Sequence, residues 1–466
     1  MNPRYLICSM VITSLAAWGQ QATTLQDQTD VALTAYNNGL ALVRDVRKLT
    51  LGTGTVALRF EDVAEQIRPE TVSLQSVSGA GSVRILEQNY EYDLISPEKL
   101  MEKYVGQTVS LINFSKEVGF ERVEAELMSI NGGPVYRVDG QIYLGHPGSV
   151  VLPKVPENLI AKPSLIWTLE NDTAGQTLEA TYLTNGVSWK ADYVVTLAKD
   201  EKKLDIDGWV TMNNQSGATF TNARLKLVAG DVNQVQPQVY DKMARNLRTA
   251  EMAVAAPMPS EESFAEYHLY SMPRRTTIKQ NQSKQLALLT AASVGCRKVY
   301  EYRGQTYFYY QPMQPMLGEH VEVFLDFKNE EKNDMGMPLP AGIMRVYQED
   351  SEAMLQFAGE DQIKHTPKDE MVKLRLGKAF DVIGDRVQTD FRQIASDVFE
   401  SAYEITVRNH KEQDITVDVV EPMQSDWEII QKSQDFEKKD AFTAIFHVAV
   451  KADGEAKVTY RVRVKT

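Results

Sequence analysis

Apolar and polar residues alternate along much of the chain, most regularly between residues 178 and 232. A period of two places successive side chains on opposite faces of an extended strand, so the pattern predicts β-strands with one buried face. Short runs containing Asn and Gly separate these strands, as expected for turns. The stretch therefore predicts successive antiparallel strands of a β-sandwich.

The preceding residues continue the pattern, and one short helix interrupts it. An Asn-Asn-Gly turn at residues 37–39 lies between two apolar runs and predicts a hairpin. Ser96 is a good helix N-cap, Pro97 suits the first helical position, and Gly106 can end the helix. We expect residues 23–106 to form an N-terminal β-rich domain.

The next residues, 107–155, predict a small β-barrel module. Its strands are short and separated by turns, and they cover residues 107–114, 120–130, 134–138, 141–144 and 149–152. Modules of this size often bind peptides or oligomers, but a structural spacer is the favoured interpretation. Two prolines within residues 155–163 then indicate a linker.

The central residues, 156–320, predict a first C-terminal β-sandwich. Its first hairpin is expected to pair residues 164–170 with residues 176–184 across a turn at residues 171–175. Residues 234–262 are rich in Gln, Ala, Met and Pro, which predicts a mobile insertion.

An aromatic run, Tyr-Phe-Tyr-Tyr, occupies residues 307–310 at the end of a predicted strand. Packing on a strand face is the favoured interpretation, and a ligand platform is the alternative. Residues 321–466 predict a second C-terminal sandwich, because alternation continues without long helical periodicity. In its last strand, residues 458, 460, 462 and 464 face inward while Lys, Thr and Arg face outward, as in an edge-like or half-exposed strand protected by charge.

The fold class expected for the whole chain is mainly β. It comprises tandem antiparallel β-sandwich (immunoglobulin-like) domains with a small N-terminal β-barrel module and few short helices. The formal charge of −13 and the absence of a dense Lys/Arg run argue against nucleic-acid binding. With two cysteines, Cys8 and Cys296, no internal disulfide is expected.

The N-terminus predicts a secretory signal peptide over residues 1–22, cleaved between about residues 19 and 22. Arg4 supplies a positive charge, residues 6–17 are apolar, and Ala17 and Gly19 are small residues near the cleavage site. A buried N-terminal strand is the alternative. No later segment is long and apolar enough to span a bilayer. We therefore expect an exported protein, periplasmic or extracellular, without a transmembrane segment in the mature chain.

Several separated stretches resemble DUF4139, a bacterial family of domains of unknown function grouped with the mucoidy inhibitor A proteins. They are YLTNGVSWKADY followed by GWVTMNNQSGATFTNARLKLVAGDVN, then residues 266–285, 338–347 and 376–386. The resemblance covers about residues 160–466. It implies an exported, β-rich bacterial protein with a loose link to surface polysaccharide, and it supplies no catalytic residues.

One loop and one aromatic pair are the candidate ligand-binding residues. Glu360, Asp361 and His365 follow a predicted strand, where they would coordinate a cation or perform acid–base chemistry; a solvated, charged loop is the favoured interpretation. Trp189 and Trp209 would stack on sugar rings if exposed together, although packing is favoured. The six histidines show no metal-binding spacing, so we predict no metal, no cofactor and no identified catalytic residue.

These observations favour a non-catalytic binding or interaction protein of the bacterial envelope. Its partner would be an envelope protein or polysaccharide, bound through loops or exposed sheet edges. The first alternative is an envelope glycan hydrolase whose paired carboxylates meet only in three dimensions. The second is a structural assembly subunit that uses donated or exposed strands. The oligomeric state is not predicted.

Overall fold

The computed structural model describes residues 21–465 except 80, 116–118, 146–147, 157–158, 231, 233–259, 265 and 424–425. Most of the predicted signal peptide and of the predicted insertion at residues 234–262 lies outside the described residues. The described chain is mainly β, which confirms the predicted fold class. Within it, no helix is long and apolar enough to cross a membrane.

The N-terminal elements, including the one α-helix of the described residues, are β1 (Gln21–Thr23), β2 (Gln28–Tyr36), β3 (Leu40–Thr50), β4 (Gly54–Glu61), β5 (Ser73–Ser76), β6 (Val83–Glu91), α1 (Pro97–Lys103), β7 (Thr108–Ser115), β8 (Gly119–Ser129), β9 (Val135–Val138), β10 (Gln141–Leu144) and β11 (Ser149–Val151). The central strands are β12 (Ser164–Asn171), β13 (Gly175–Asn185), β14 (Val187–Leu197), β15 (Lys203–Asn214), β16 (Phe220–Ala229), β17 (Ser260–Phe264), β18 (Tyr267–Ser271), β19 (Thr276–Ile278) and β20 (Gln282–Arg303). The C-terminal strands are β21 (Met316–Lys328), β22 (Gly342–Glu349), β23 (Leu355–Ile363), β24 (Met371–Ala395), β25 (Val398–Asn409), β26 (Ile415–Pro422), β27 (Asp426–Lys432), β28 (Glu437–Asp440), β29 (Thr443–Val450) and β30 (Gly454–Lys465).

These strands form four sheets. The first has the order β1-β4-β12-β6, the second β10-β9-β8-β7-β11, and the third β17-β18-β16-β2-β3-β13-β5, with β19 beside β16. The fourth runs β23-β22-β14-β15-β20-β21-β24-β25-β30-β27, with β26, β29 and β28 joined to β20. Pairing is mostly antiparallel, but β1–β4, β14–β22 and β20–β26 are parallel pairs.

The chain forms two compact units, and each contains segments that are distant in sequence. One contains the described residues up to Ser188 together with Asn213–Lys226 and Arg274–Gln282. The other contains Trp189–Met212, the described part of Leu227–Pro273, and the described residues from Ser283 onward. The four consecutive domains proposed from the sequence stay a prediction.

Two local predictions are confirmed in the N-terminal region. Strands β2 and β3 pair as an antiparallel hairpin around Gly39, whose φ of 81° is the left-handed conformation that glycine tolerates best. Helix α1 begins after Ser96, whose hydroxyl accepts a hydrogen bond from the backbone N–H of Lys99 at 3.1 Å. Pro97 occupies the first helical turn as predicted.

The predicted hairpin between residues 164–170 and 176–184 is wrong. Strand β12 pairs with β4 and β6, while β13 pairs with β3 and β5, so the turn carries the chain from one sheet to another. The Asn171 side chain donates to the carbonyls of Gly52 and Thr173, each at 2.7 Å, and accepts from Gln176 at 2.8 Å. These contacts, which include one to the distant loop at Gly52, stabilise the bend between β12 and β13. The turn residues alone had predicted a hairpin at this bend.

The predicted β-barrel module is an open five-stranded antiparallel sheet. Its strands lie within two residues of their predicted positions, but β10 and β11 are its two ends and do not pair within the described residues. The buried core of this sheet comprises Tyr104, Val109, Leu111, Ala125, Leu127, Tyr136 and Val138. Closing a barrel requires the two end strands to pair with each other. The end strands of this sheet, β10 and β11, are short, with four and three residues.

The C-terminal strands form a sandwich around one core. One layer contains β24, β25 and β30, the other contains β26 and β29, and buried residues of both layers share one cluster. The inward side chains Val458, Tyr460, Val462 and Val464 of β30 are confirmed as core residues. The strand is half-exposed, because exposed or partly exposed residues alternate with these buried ones, which confirms that alternative of the prediction. The edge-like alternative is wrong, because β30 pairs with both β25 and β27.

Candidate functional site

The candidate carboxylates lie on a strand and not in the predicted loop. Glu360 and Asp361 belong to β23, and adjacent strand residues point to opposite faces. The Glu360 carboxylate pairs with Arg345 Nε at 3.2 Å, whereas Asp361 accepts the backbone N–H of Arg375 at 2.8 Å. His365 Nδ1 is 3.2 Å from the backbone nitrogen of Ala341, so each of the three side chains has a different partner. Their role in ligand binding stays a prediction.

Glu360 instead joins a polar network centred on Asp192. Asp192 lies on β14 and is nearly buried; its carboxylate accepts hydrogen bonds from Thr211 Oγ1 at 3.0 Å and Arg345 Nη1 at 3.1 Å. Lys190 Nζ lies 3.3 Å away. The Arg345 guanidinium thus connects the two carboxylates, Asp192 and Glu360. A buried carboxylate is tolerated when it is paired and hydrogen-bonded in this way.

In the same region, residues 338–342 contact β14. The hydroxyl of Tyr193 donates to the Pro340 carbonyl at 2.8 Å, and burial raises the pKa of this hydroxyl. Gly342 leaves room for the backbone of β14, because a Cβ there would overlap the carbonyl of Ala191. Stretches that carry the family resemblance therefore meet at this point, although they are about 150 residues apart.

The two candidate tryptophans do not share an exposed surface. Trp189 is 3% exposed and lies edge-on to Tyr270, with ring centroids 6.5 Å apart. The Tyr270 hydroxyl in turn donates to the Pro338 carbonyl at 2.9 Å. Trp209, on the next strand β15, is partly buried. Packing against β18 accounts for Trp189 in the structure.

The aromatic run at residues 307–310 forms a 3-10 helix at Thr306–Tyr309, not a strand. Phe308 and Tyr309 are buried in the C-terminal core, which confirms the packing interpretation for these two. The Tyr309 hydroxyl donates to Glu421 at 2.6 Å, and Glu421 also accepts from Arg386 Nη1 at 2.6 Å. Both ionic side chains are buried, so this pair is part of the core.

The pattern analysis missed one histidine flanked by two carboxylates. His447 on β29 lies 2.7 Å from Asp418 on β26 through Nδ1 and 3.1 Å from Glu437 on β28 through Nε2. Hydrogen bonding to Asp418 and then to Glu437 raises the pKa of His447, although partial burial opposes the shift. Both carboxylates come from other strands, so no short motif reveals them. Among the described residues, no group of three or more His, Cys, Asp or Glu side chains, these included, is arranged so that it could hold a metal ion.

The other missed feature is the exposed edge of the five-stranded sheet. Within the described part of the chain, strand β10 pairs only with β9, and all four of its residues are exposed. Ile142, Tyr143 and Leu144 are large apolar side chains there, and Leu144 is 88% exposed. The sequence predicted this strand, but alternation alone did not identify it as an edge. An unpaired edge of this kind offers backbone hydrogen-bonding groups to another strand.

Comparison with known families matches the C-terminal part of the chain to a family. The model of the family described as "Domain of unknown function (DUF4139)" matches residues 178–466, more than half of the chain. The match contains β14, β15 and the C-terminal sandwich, whereas the five-stranded sheet precedes it. No curated protein matches the chain.

Proposed function

We propose that this chain, which belongs to the DUF4139 family, is an exported, non-catalytic interaction protein of the bacterial envelope. It binds an extended segment of another polypeptide by adding that segment to β10. The observation that carries the proposal is the exposed, uncharged edge formed by Ile142, Tyr143 and Leu144.

The edge favours a polypeptide as the partner. On its outer side, β10 presents backbone groups spaced for an added strand, because within the described residues it pairs only with β9. Its exposed side chains add apolar contacts on both faces of the strand. A polysaccharide partner fits less well, because Trp189 of the candidate stacking pair is buried.

Export rests on the residue pattern of the N-terminus. A single arginine, an apolar run and small residues near position 19 are typical of a secretory signal peptide. Mass spectrometry of the mature N-terminus in fractionated cells tests this step, and a retained residue 1 in the cytosolic fraction would contradict it.

Site-specific photo-crosslinking tests the binding surface. A photoreactive phenylalanine analogue replaces Tyr143 in the full chain, expressed in its bacterial host. The matched control carries it at Phe380, which is 86% exposed at an irregularity of β24, a strand that lies between β21 and β25 in its sheet. We expect crosslinked polypeptide, including any second copy of the chain, from position 143 and not from position 380. Equal crosslinking at the two positions, or none at 143, would overturn the proposal.

An envelope glycan hydrolase is the competing function, and one observation favours it. Asp192 and Glu360 both contact Arg345, so two carboxylates share one side chain. Paired carboxylates perform glycoside hydrolysis when one is protonated and the other ionised. Assays on a panel of glycan and peptide substrates decide the matter: hydrolysis that is lost in both Glu360→Ala and Asp192→Asn would establish the hydrolase and remove the interaction protein.

A further inference from the structure

We infer that the strand added to β10 is β10 of a second copy of this chain, paired antiparallel about a two-fold axis at Tyr143. The inference rests on the proposed strand addition and names its partner.

Strand β10 differs from the other sheet edges whose side chains are described. Its sequence Gln-Ile-Tyr-Leu contains no charged residue, and three of its side chains are large, apolar and exposed. The edges β6 and β23 also expose apolar side chains but carry Arg84 and Glu360 among their charges, and β28 is charged at every position. Charged residues on an edge discourage pairing with another sheet. The edges β1, β5 and β11 also lack charge, but Val151 of β11 is the one large apolar side chain exposed among their described residues. Strand β10 combines the lack of charge with three such side chains.

The faces of β10 follow from its pairing with β9. Tyr143 lies opposite Tyr136, a core residue, so Tyr143 belongs to the core-side face of the sheet. Ile142 lies opposite Arg137 and Leu144 opposite Val135, so both belong to the outer face. The strand therefore presents two apolar residues on one face and a tyrosine on the other.

An antiparallel pair of two β10 strands matches these faces. With Tyr143 opposite its own copy, Ile142 of each chain lies opposite Leu144 of the other, since directly opposed residues share a face. The opposed pairs formed by residues 142–144 are then apolar or aromatic. The two chains contribute the same surface patch to the interface, as two-fold symmetry requires.

Charge does not oppose pairing at this edge. The chain carries a formal charge of −13, so two copies repel each other over most of their surface. Residues 141–145 contribute no charge. On the outer face, the nearby Arg137 is already paired with Glu126, with Nη1 and Oε2 2.7 Å apart. The contact at β10 thus brings no unpaired like charges together.

Sedimentation velocity of the purified mature chain over a range of concentrations tests the association. We expect a reversible dimer, and the double variant Ile142→Lys/Leu144→Lys should weaken it about tenfold or more, because lysines would then face each other twice. The control Phe380→Lys changes an equally exposed residue away from the edge and should leave association unchanged. A strictly monomeric chain, or a dimer that the double variant does not weaken, would overturn the inference.

Cysteine crosslinking tests the register, in a background where Cys8 and Cys296 are serine. Directly opposed residues have Cβ atoms about 4.5–5.5 Å apart, whereas diagonal neighbours are about 7–8 Å apart. Under mild oxidation we expect disulfide dimers of Tyr143→Cys, or of a mixture of Ile142→Cys and Leu144→Cys. Ile142→Cys alone should react as slowly as Phe380→Cys. Equal rates of disulfide formation in all of these cysteine variants would overturn the proposed register between the two β10 strands.

The two proposals fail separately. Photo-crosslinks from position 143 that contain only a different protein would support strand addition and overturn self-association. A dimer that depends on β10 supports both proposals.

Discussion

The five-stranded sheet and the C-terminal sandwich are both antiparallel, yet they differ in how their strands are connected and how their edges end. In the five-stranded sheet, β7, β8, β9 and β10 pair in chain order, and the last of them is an uncharged edge. In the sandwich, β25 and β26 follow each other but belong to opposite layers, and the edge β28 is charged throughout. The sandwich edge β28 is thus protected by charge, whereas β10, in the sheet that precedes the family region, lacks such protection.

The buried ion pair of the sandwich should show the largest effect. Glu421→Gln leaves the buried Arg386 guanidinium without its countercharge, which should lower the free energy of unfolding by about 3–5 kcal/mol. Chemical denaturation monitored by fluorescence measures this. The control Glu404→Gln removes the exposed partner of Lys457 and should leave the midpoint unchanged. Equal effects of the two substitutions would show that the buried pair does not stabilise the sandwich core.

The core of the five-stranded sheet should be sensitive to a cavity. Leu127 is fully buried in it, and Leu127→Ala should destabilise this sheet by about 2–5 kcal/mol. Hydrogen exchange should show faster opening of β7–β9 and unchanged protection in β29. Uniform loss of protection in both regions would contradict a separate core for the five-stranded sheet.

A smaller, pH-dependent effect is expected at the charged edge. Because the pKa of His447 is raised in the folded chain, protonation of this side chain stabilises the fold. The stabilisation is complete below the pKa that His447 has in the unfolded chain, 6.5. It is lost as the pH rises through the higher pKa of the folded chain. His447 is half exposed, so solvent screening should limit the effect to less than about 1 kcal/mol.

Comparing the chain with His447→Gln at pH 5.5 and pH 8.5 isolates this contribution, and His320→Gln on β21 serves as the control. The stability difference between the original chain and His447→Gln should shrink at the higher pH. In the original chain, the protection of the β28 amides relative to their intrinsic exchange rates should fall between pH 5.5 and pH 8.5. A difference that grows with pH would reverse the assigned sign.

Local pattern predicted the elements far better than their partners. Alternation located the strands of the five-stranded sheet, and Ser96 and Pro97 located the helix, because both signals depend on neighbouring residues. The pairing of β12 and β13 was mispredicted, because the side chain of Asn171 binds Gly52, more than a hundred residues away. Turn residues report where a chain bends, but they do not report which sheet the next strand joins.

The candidate site shows the same limit. Trp189 was expected to pack, and its burial follows from the alternation of β14. The connection of Asp192 to Arg345 spans 153 positions, and the carboxylates around His447 lie on two other strands. The character of β10 became visible only when the sheet order showed it to be an edge.

Hydrogen exchange of the β10 amides at several protein concentrations tests the central claim most directly. If a second chain pairs with this edge, the amides of residues 141–144 that do not face β9 should gain protection as the concentration rises. Those of the charged edge β28 should not change. Exchange at β10 that is independent of concentration would contradict the account.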